Sequence, residues 1–120
     1  MREVSIRTGV RIDVDREGIW RGRHFDALPA RTFRILNYLA EHANMVIPYA
    51  ALLVVGWPNE PRVEQDLYRH IHRIRQSIEI NPMHPSWLIT RKDRGYMLLI
   101  SSPVSMTRNY GKRKTKAVSR

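Results

Sequence analysis

The chain has 120 residues, enough for one domain with a single modest core. It contains no cysteine, which excludes disulfide stapling, zinc–thiolate sites and thiol chemistry. Lys and Arg number 21 against 11 Asp and Glu, a formal charge of +10 that points to a polyanionic partner: DNA, RNA or an acidic membrane surface. The charge is uneven. Residues 108–120 carry six cations, among them Lys112, Arg113, Lys114 and Lys116, and no acid, which leaves fifteen cations against eleven acids, or +4, for residues 1–107. A body this mildly basic does not by itself imply specific recognition. No charged-then-apolar leader opens the sequence, and the longest apolar run, residues 45–57, contains Pro48 and Gly56 and is too short to span a bilayer. The expectation is a soluble cytoplasmic protein with no membrane attachment.

Along the first 28 residues Val4, Ile6, Val10, Ile12 and Val14 alternate with polar neighbours, as in half-buried strands. Asp15 to Gly18 reads as a turn, and Ile19-Trp20 and His24-Phe25 as further strands, giving a small antiparallel meander of three or four strands. Such a sheet is marginal alone and has to cover part of a helical core. Asp13, Asp15 and Glu17 are expected on a solvated edge beside the turn. The period then changes. Over Ala30 to Ala43, Phe33, Leu36, Leu39 and Ala40 share one side of a helix, with Arg31, Arg34, Glu41 and His42 outside. Pro29 suits the first turn, and Asn44 suits a left-handed terminator. A shorter helix is expected from about Pro48 to Val55, where Ala51, Leu52 and Val55 pack on the first. Gly56 to Pro61 is then a loop anchored by Trp57.

Arg62 to Ile78 follows, and a helix is expected over about 63–79. Leu67, Ile71, Ile74 and Ile78 recur at helical spacing and define a narrow apolar face. At about 100° per residue the opposite face collects Arg62, Gln65, Arg69, His72, Arg73 and Gln76, with no acid among them. Long donors on a rigid rod can reach phosphates and base edges in a major groove, although a solvated surface helix has the same look. This periodicity puts His70 and Arg75 on the flanks of the core face. Asn81-Pro82 ends the helix, and residues 83–86 connect to a hairpin whose runs, 87–90 and 96–100, flank a cationic tip at 91–95. Residues 1–107 are expected to form the domain and 108–120 a disordered basic arm.

Strands, three helices and a hairpin, in that order, are the order of an α+β winged helix-turn-helix: an N-terminal antiparallel sheet, a three-helix core and a C-terminal hairpin wing. Leu28-Pro29-Ala30-Arg31-Thr32-Phe33-Arg34-Ile35-Leu36, then Val46 to Leu53, then Trp57, resemble the first two helices of OmpR/PhoB-type effector domains. His70-Ile71-His72-Arg73-Ile74-Arg75, Ile89-Thr90-Arg91-Lys92 and Gly95-Tyr96 resemble that family's recognition helix and wing. The resemblance runs from about residue 4 to 101. It implies a sequence-specific double-stranded DNA-binding transcriptional regulator, with helix 63–79 in the major groove and wing 90–96 on backbone or minor groove. Matched by position, it implies DNA contacts from His70, His72, Arg73 and Arg75, with Arg73 nearest the bases, and from Thr90, Lys92 and Arg94 on the wing. Periodicity agrees for His72 and Arg73 and adds Arg62, Arg69 and Gln76; His70 could equally be a partly buried histidine bonded to a phosphate or to the wing.

Three departures from the family's pattern stand out. Leu67-Tyr68-Arg69 replaces a valine-aspartate-valine run, Asp93 stands where the wing turn has a glycine, and Pro58 follows Trp57 where glycine is usual. No phosphoacceptor receiver domain precedes the effector region in this sequence, so phosphorylation control is expected to be absent from this chain, and it is expected to act as a monomer or a weak dimer on tandem sites. Catalysis is not expected: His70 and His72 point about 200° apart on a helix and cannot chelate one metal, there is no glycine-rich phosphate loop, and no nucleophile–base pair is framed. No cofactor or metal is implied. Two other binding readings stay open. One is a small interaction factor that meets RNA polymerase through loop 56–61, the family's polymerase-contacting segment. The other is nonspecific nucleic-acid coating by the tail.

Overall fold

The computed structural model describes residues 2–101. Four strands come first: β1 (Glu3–Arg7), β2 (Val10–Asp13), β3 (Gly18–Arg21) and β4 (His24–Ala27), an antiparallel meander in sheet order β1-β2-β3-β4. Its inner face contributes Ile6, Ile12 and Ile19, all fully buried. Asp13 departs from expectation. It is buried rather than solvated, because its carboxylate accepts a hydrogen bond from the Trp20 indole N–H at 3.0 Å and another from the Arg16 amide at 3.0 Å.

Helix α1 (Ala30–Glu41) buries Phe33, Ile35, Leu36 and Leu39, the face its apolar spacing sets. It stops short of Ala43, and Asn44 takes the left-handed conformation at φ 67°. From there Asn44 reaches the chain's last described segment: its side-chain oxygen accepts from the Ile100 amide, and its own amide donates to the Leu98 carbonyl. Strand β5 (Ile47–Pro48), too short to show in the pattern, then pairs with the wing, and α2 (Tyr49–Gly56) follows it directly. Trp57 is buried, as an anchor for the 56–61 loop requires.

Helix α3 (Gln65–Ile78) turns Leu67, Ile71, Ile74 and Ile78 fully inward, against the layer built by α1 and the N-terminal sheet. Strands β6 (Leu88–Arg91) and β7 (Gly95–Leu98) form the wing. With β5 they make a three-stranded sheet, order β5-β7-β6, rather than an isolated hairpin. The β5–β7 approach needs Gly95: a Cβ there would lie 1.9 Å from the Ile47 carbonyl oxygen. In the wing turn Asp93 adopts φ 63°, a conformation that Asp tolerates better than most side chains, so the missing glycine is accommodated. The basic tail, 108–120, lies outside the described residues, as do 102–107 of the expected domain.

The wing is tied to α3 by two side chains at that helix's C-terminal end. The carboxylate of Glu79, 6% exposed, accepts from the backbone amides of Ser86, Trp87 and Leu88 at 2.7, 2.9 and 2.7 Å. Arg75 returns the contact, donating from Nε and Nη2 to the Leu88 carbonyl at 3.0 and 2.9 Å and from Nη2 to Thr90 Oγ1 at 2.9 Å. Charge-assisted bonds to buried amides are among the stronger ones, and removing their acceptor leaves the donors unpaired. Glu79→Ala is therefore expected to destabilise the fold by about 3 kcal/mol, read as a lower urea midpoint, with Glu79→Gln losing less. A loss below about 0.5 kcal/mol, the range of ordinary surface substitutions, would show that the wing is held by other means.

Candidate nucleic-acid interface

With its apolar side fixed, α3 presents a row roughly one turn apart on its outer side: Gln65, Arg69, His72 and Gln76, all exposed. Arg69, His72 and Gln76 have no side-chain hydrogen bond or ion pair among the described residues. The wing adds exposed Thr90, Lys92 and Arg94 at its tip, and exposed Arg91, which sequence reasoning left out of the site. Arg62 lies before the helix begins. Its guanidinium pairs with Glu60 at 2.5 Å and sits 5.5 Å from the centre of the Trp57 ring.

Three residues expected at the interface have other partners. The resemblance puts Arg73 nearest the bases. In this structure its guanidinium grips Asp26 of β4 through two parallel bonds, Nη2 to Oδ1 at 2.7 Å and Nη1 to Oδ2 at 3.0 Å. It also donates to Ser77 Oγ at 2.7 Å and to the Ala27 carbonyl at 3.2 Å, and Ser77 closes the triangle by donating to Asp26. The Arg73 bonds hold the Asp26 carboxyl below the usual carboxylate range against the opposing effect of burial, and Ser77 adds to the lowering. Arg75 is committed to the wing, as described above. His70 is buried on the flank of the core face, where periodicity puts it. Its Nδ1 lies 2.8 Å from Thr32 Oγ1 of α1, and its ring meets Trp57 edge-on at 5.5 Å.

Trp57 is the hub behind this surface. Arg31 stacks over it at 5.0 Å from the ring centre, with Arg62 and His70 at its other contacts. Arg31 Nε and Arg34 Nη2 both donate to the Gly56 carbonyl, at 2.9 and 3.1 Å, and so satisfy the C-terminal end of α2. An open cleft of about 530 Å³ separates the start of α1 from α3 and is lined by Arg31, Arg34, Arg69 and His70 among others. Sequence reasoning left Arg31 and Arg34 as surface cations on the outside of α1. The available signal was a helix start with two arginines and no acid, opposite to what the helix dipole favours.

The order of elements, the α2–α3 pair and the hairpin define a winged helix-turn-helix. The chain belongs to the family described as transcriptional regulatory protein, C terminal, whose model matches residues 26–98. Among solved structures it is 31% identical to the response regulator DrrB of Thermotoga maritima, an OmpR/PhoB homologue, with a TM-score of 0.69 over 76% of this chain. It spans 42% of DrrB's length. It is 23% identical to the DNA-binding domain of Klebsiella pneumoniae RstA, solved in complex with the RstA box, at a TM-score of 0.69 over 82% of this chain and 98% of that one. The DNA-binding domain of E. coli CadC shares 20% identity at a TM-score of 0.71, over 83% and 94% of the two chains.

Burial, with the nearby charges of Arg69 and Arg31, lowers the pKa of His70 from 6.5. Its folded value thus lies below its unfolded one, so the unfolded chain takes up this proton first as the pH falls. The stabilisation is present in full above about pH 6.5 and is lost as the pH drops toward the folded value. Urea unfolding at pH 7.5 and 5.0 is expected to show this loss, and His70→Gln is expected to show a smaller one; equal losses in both proteins would contradict the assignment.

Proposed function

We propose that this chain is a sequence-specific double-stranded DNA-binding domain of a transcriptional regulator, with α3 in the major groove and the wing on backbone or minor groove. The observation that carries the reading is the exposed row of Gln65, Arg69, His72 and Gln76 on a helix whose opposite side is wholly buried. A helix with its side chains fits a groove about 12 Å wide; Arg has the forked donors that recognise guanine O6/N7, and the Gln amide donates to adenine N7 while accepting from its N6–H. Family membership and the RstA complex support the same reading. Thr90, Lys92 and Arg94 are assigned to the backbone, and Lys112 to Lys116 of the tail add a sequence-independent attraction. Under this reading the chain binds rather than catalyses, uses no cofactor or metal, works in the cytoplasm beside the nucleoid, and occupies its sites as a monomer or a weak tandem dimer. Among the described residues no helix is long and apolar enough to cross a membrane.

The reading moves base recognition from Arg73 to Arg69, His72 and Gln76. A duplex selected from a random pool at about 0.15 M salt provides the substrate for testing it. Arg69→Ala is expected to remove about 1–3 kcal/mol of preference for that duplex over a scrambled one. Arg73→Ala is expected to cost about 2 kcal/mol of folding stability and little preference, because Asp26 and Ser77 lose the bonds from its guanidinium. If Arg73→Ala erases the preference while Arg69→Ala keeps it, Arg73 leaves Asp26 on binding and the assignment is reversed. Were no duplex preferred at all, nonspecific coating by the tail would be the better account.

One observation favours a second surface for RNA polymerase near loop 56–61. Leu53, Val54, Pro58 and Pro61 line a largely apolar groove there, with Val54 63% exposed. Capture of polymerase without DNA, lost in Val54→Asp and kept in Arg69→Ala, is the expected sign of that contact. Capture unaffected by Val54→Asp would place the contact elsewhere.

A further inference from the structure

The cleft between the start of α1 and α3 has the character of an anion site. Helix α1 opens on Pro29 with no side-chain cap and no acid in its first turn. The first amide with a helical partner is that of Phe33, which donates to the Pro29 carbonyl at 2.9 Å, so the amides of Ala30, Arg31 and Thr32 have no acceptor among the described residues. These amides are the positive end of a twelve-residue helix. Arg31 and Arg34 crowd the same end, and Arg69 and Arg73 approach it from α3, with no acidic side chain lining the cleft. Asp26 neutralises Arg73 from the far side. Arg31 and Arg34 share one uncharged carbonyl, and Arg69 has no partner among the described residues.

His70 supplies an independent sign. It lines the same cleft, is 6% exposed, and its Nε2 is the one buried side-chain nitrogen or oxygen without a hydrogen-bond partner among the described residues. Buried polar atoms are nearly always paired, so an orphaned nitrogen on a residue that lines this cleft points to a missing polar partner.

We infer that this cleft seats a phosphate group, held by the α1 amides, Arg34 and Arg69 with His70 behind them. A tetrahedral oxyanion has enough acceptor oxygens for a fan of amides and two guanidinium groups together, and helix N-termini favour such groups. The source that fits the function proposed above, on which this part of the inference rests, is a backbone phosphate of the strand flanking α3. A free phosphate ester has the same chemistry.

The test is an amide and imidazole NMR titration of the full chain with inorganic phosphate, at ionic strength matched with chloride, followed by binding of the selected duplex. Phosphate is expected to shift the Ala30, Arg31 and Thr32 amides and the His70 ring, and to raise the pH midpoint of His70. Arg34→Gln and Arg69→Gln should each weaken these shifts; Arg69 has no partner to lose, so its variant remains informative if Arg34→Gln folds poorly. Shifts spread equally over Lys92 and Arg94 and unchanged in both variants would overturn the seat. In duplex binding, a backbone phosphate predicts that Arg34→Gln weakens selected and scrambled duplexes alike and flattens the salt slope by about 0.9. Unchanged duplex affinity with lost phosphate shifts keeps the seat and assigns it to a free phosphate ester. Phosphate shifts without any duplex binding would instead contradict the DNA-binding function, and duplex binding with no change at the cleft amides under either ligand would overturn the seat alone.

Discussion

Leu67, Ile71, Ile74 and Ile78 hold α3 by its inner side, and the rest of the surface follows from that fixed edge. Because a helix turns about 100° per residue, locking four aliphatic positions leaves no freedom of rotation. Gln65, Arg69, His72 and Gln76 must then face outward. His70 and Arg75 fall on the flanks, and Arg73, though on the outer side, lies within reach of β4, so neighbouring elements take up the donors of all three. Thr32 meets His70, Asp26 holds Arg73, and Leu88 and Thr90 hold Arg75. The same burial that orients the rod therefore divides its cations into those that fasten the domain and those left for a partner. Arg73 and Arg75 act first as structural clamps, one to the N-terminal sheet and one to the wing.

This division matters for recognition. A guanidinium already paired with a carboxylate has to lose that pair before it can reach a base, and the lost bonds offset most of what the base would return. An exposed side chain such as Arg69 has no such cost. The clamps also set the angle between α3 and the wing, since Glu79 and Arg75 bind the wing's first residues on both amide and carbonyl sides. Under the proposed function, two elements joined this way engage a duplex as one rigid shape, which limits the ordering cost on binding.

Much of the scaffold could be read in advance from local pattern. The four-residue stripe of α3, the N-terminal meander, the helix that starts at Ala30 and the cationic hairpin all stand where periodicity or turn chemistry puts them, although that helix ends at Glu41 rather than Ala43. What could not be read depends on distant pairs. Asp26 and Arg73 are 47 positions apart, and Thr32 and His70 are 38 apart, so no local window joins them. Strand β5 has two residues and Pro48 among them, too little for any alternation to register. Asp13 read as solvent-exposed because nothing nearby signalled that Trp20 would fold over it. Glu79 and Arg34 are different cases. An acid at a helix C-terminus and arginines at a helix N-terminus both oppose the dipole, and each conflict marked a residue whose hydrogen-bond partner lies outside its own helix.

The central claim is that the outer row of α3 reads the major groove. Methylation interference on a selected duplex tests it most directly, because guanine N7 lies in the major groove and adenine N3 in the minor. Blocking of binding by N7 methylation at the centre of the site, with N3 methylation acting only at the flank beneath the wing, is the predicted result. Binding indifferent to every N7 methyl group, and sensitive only to N3 methylation or to the phosphates, would contradict it.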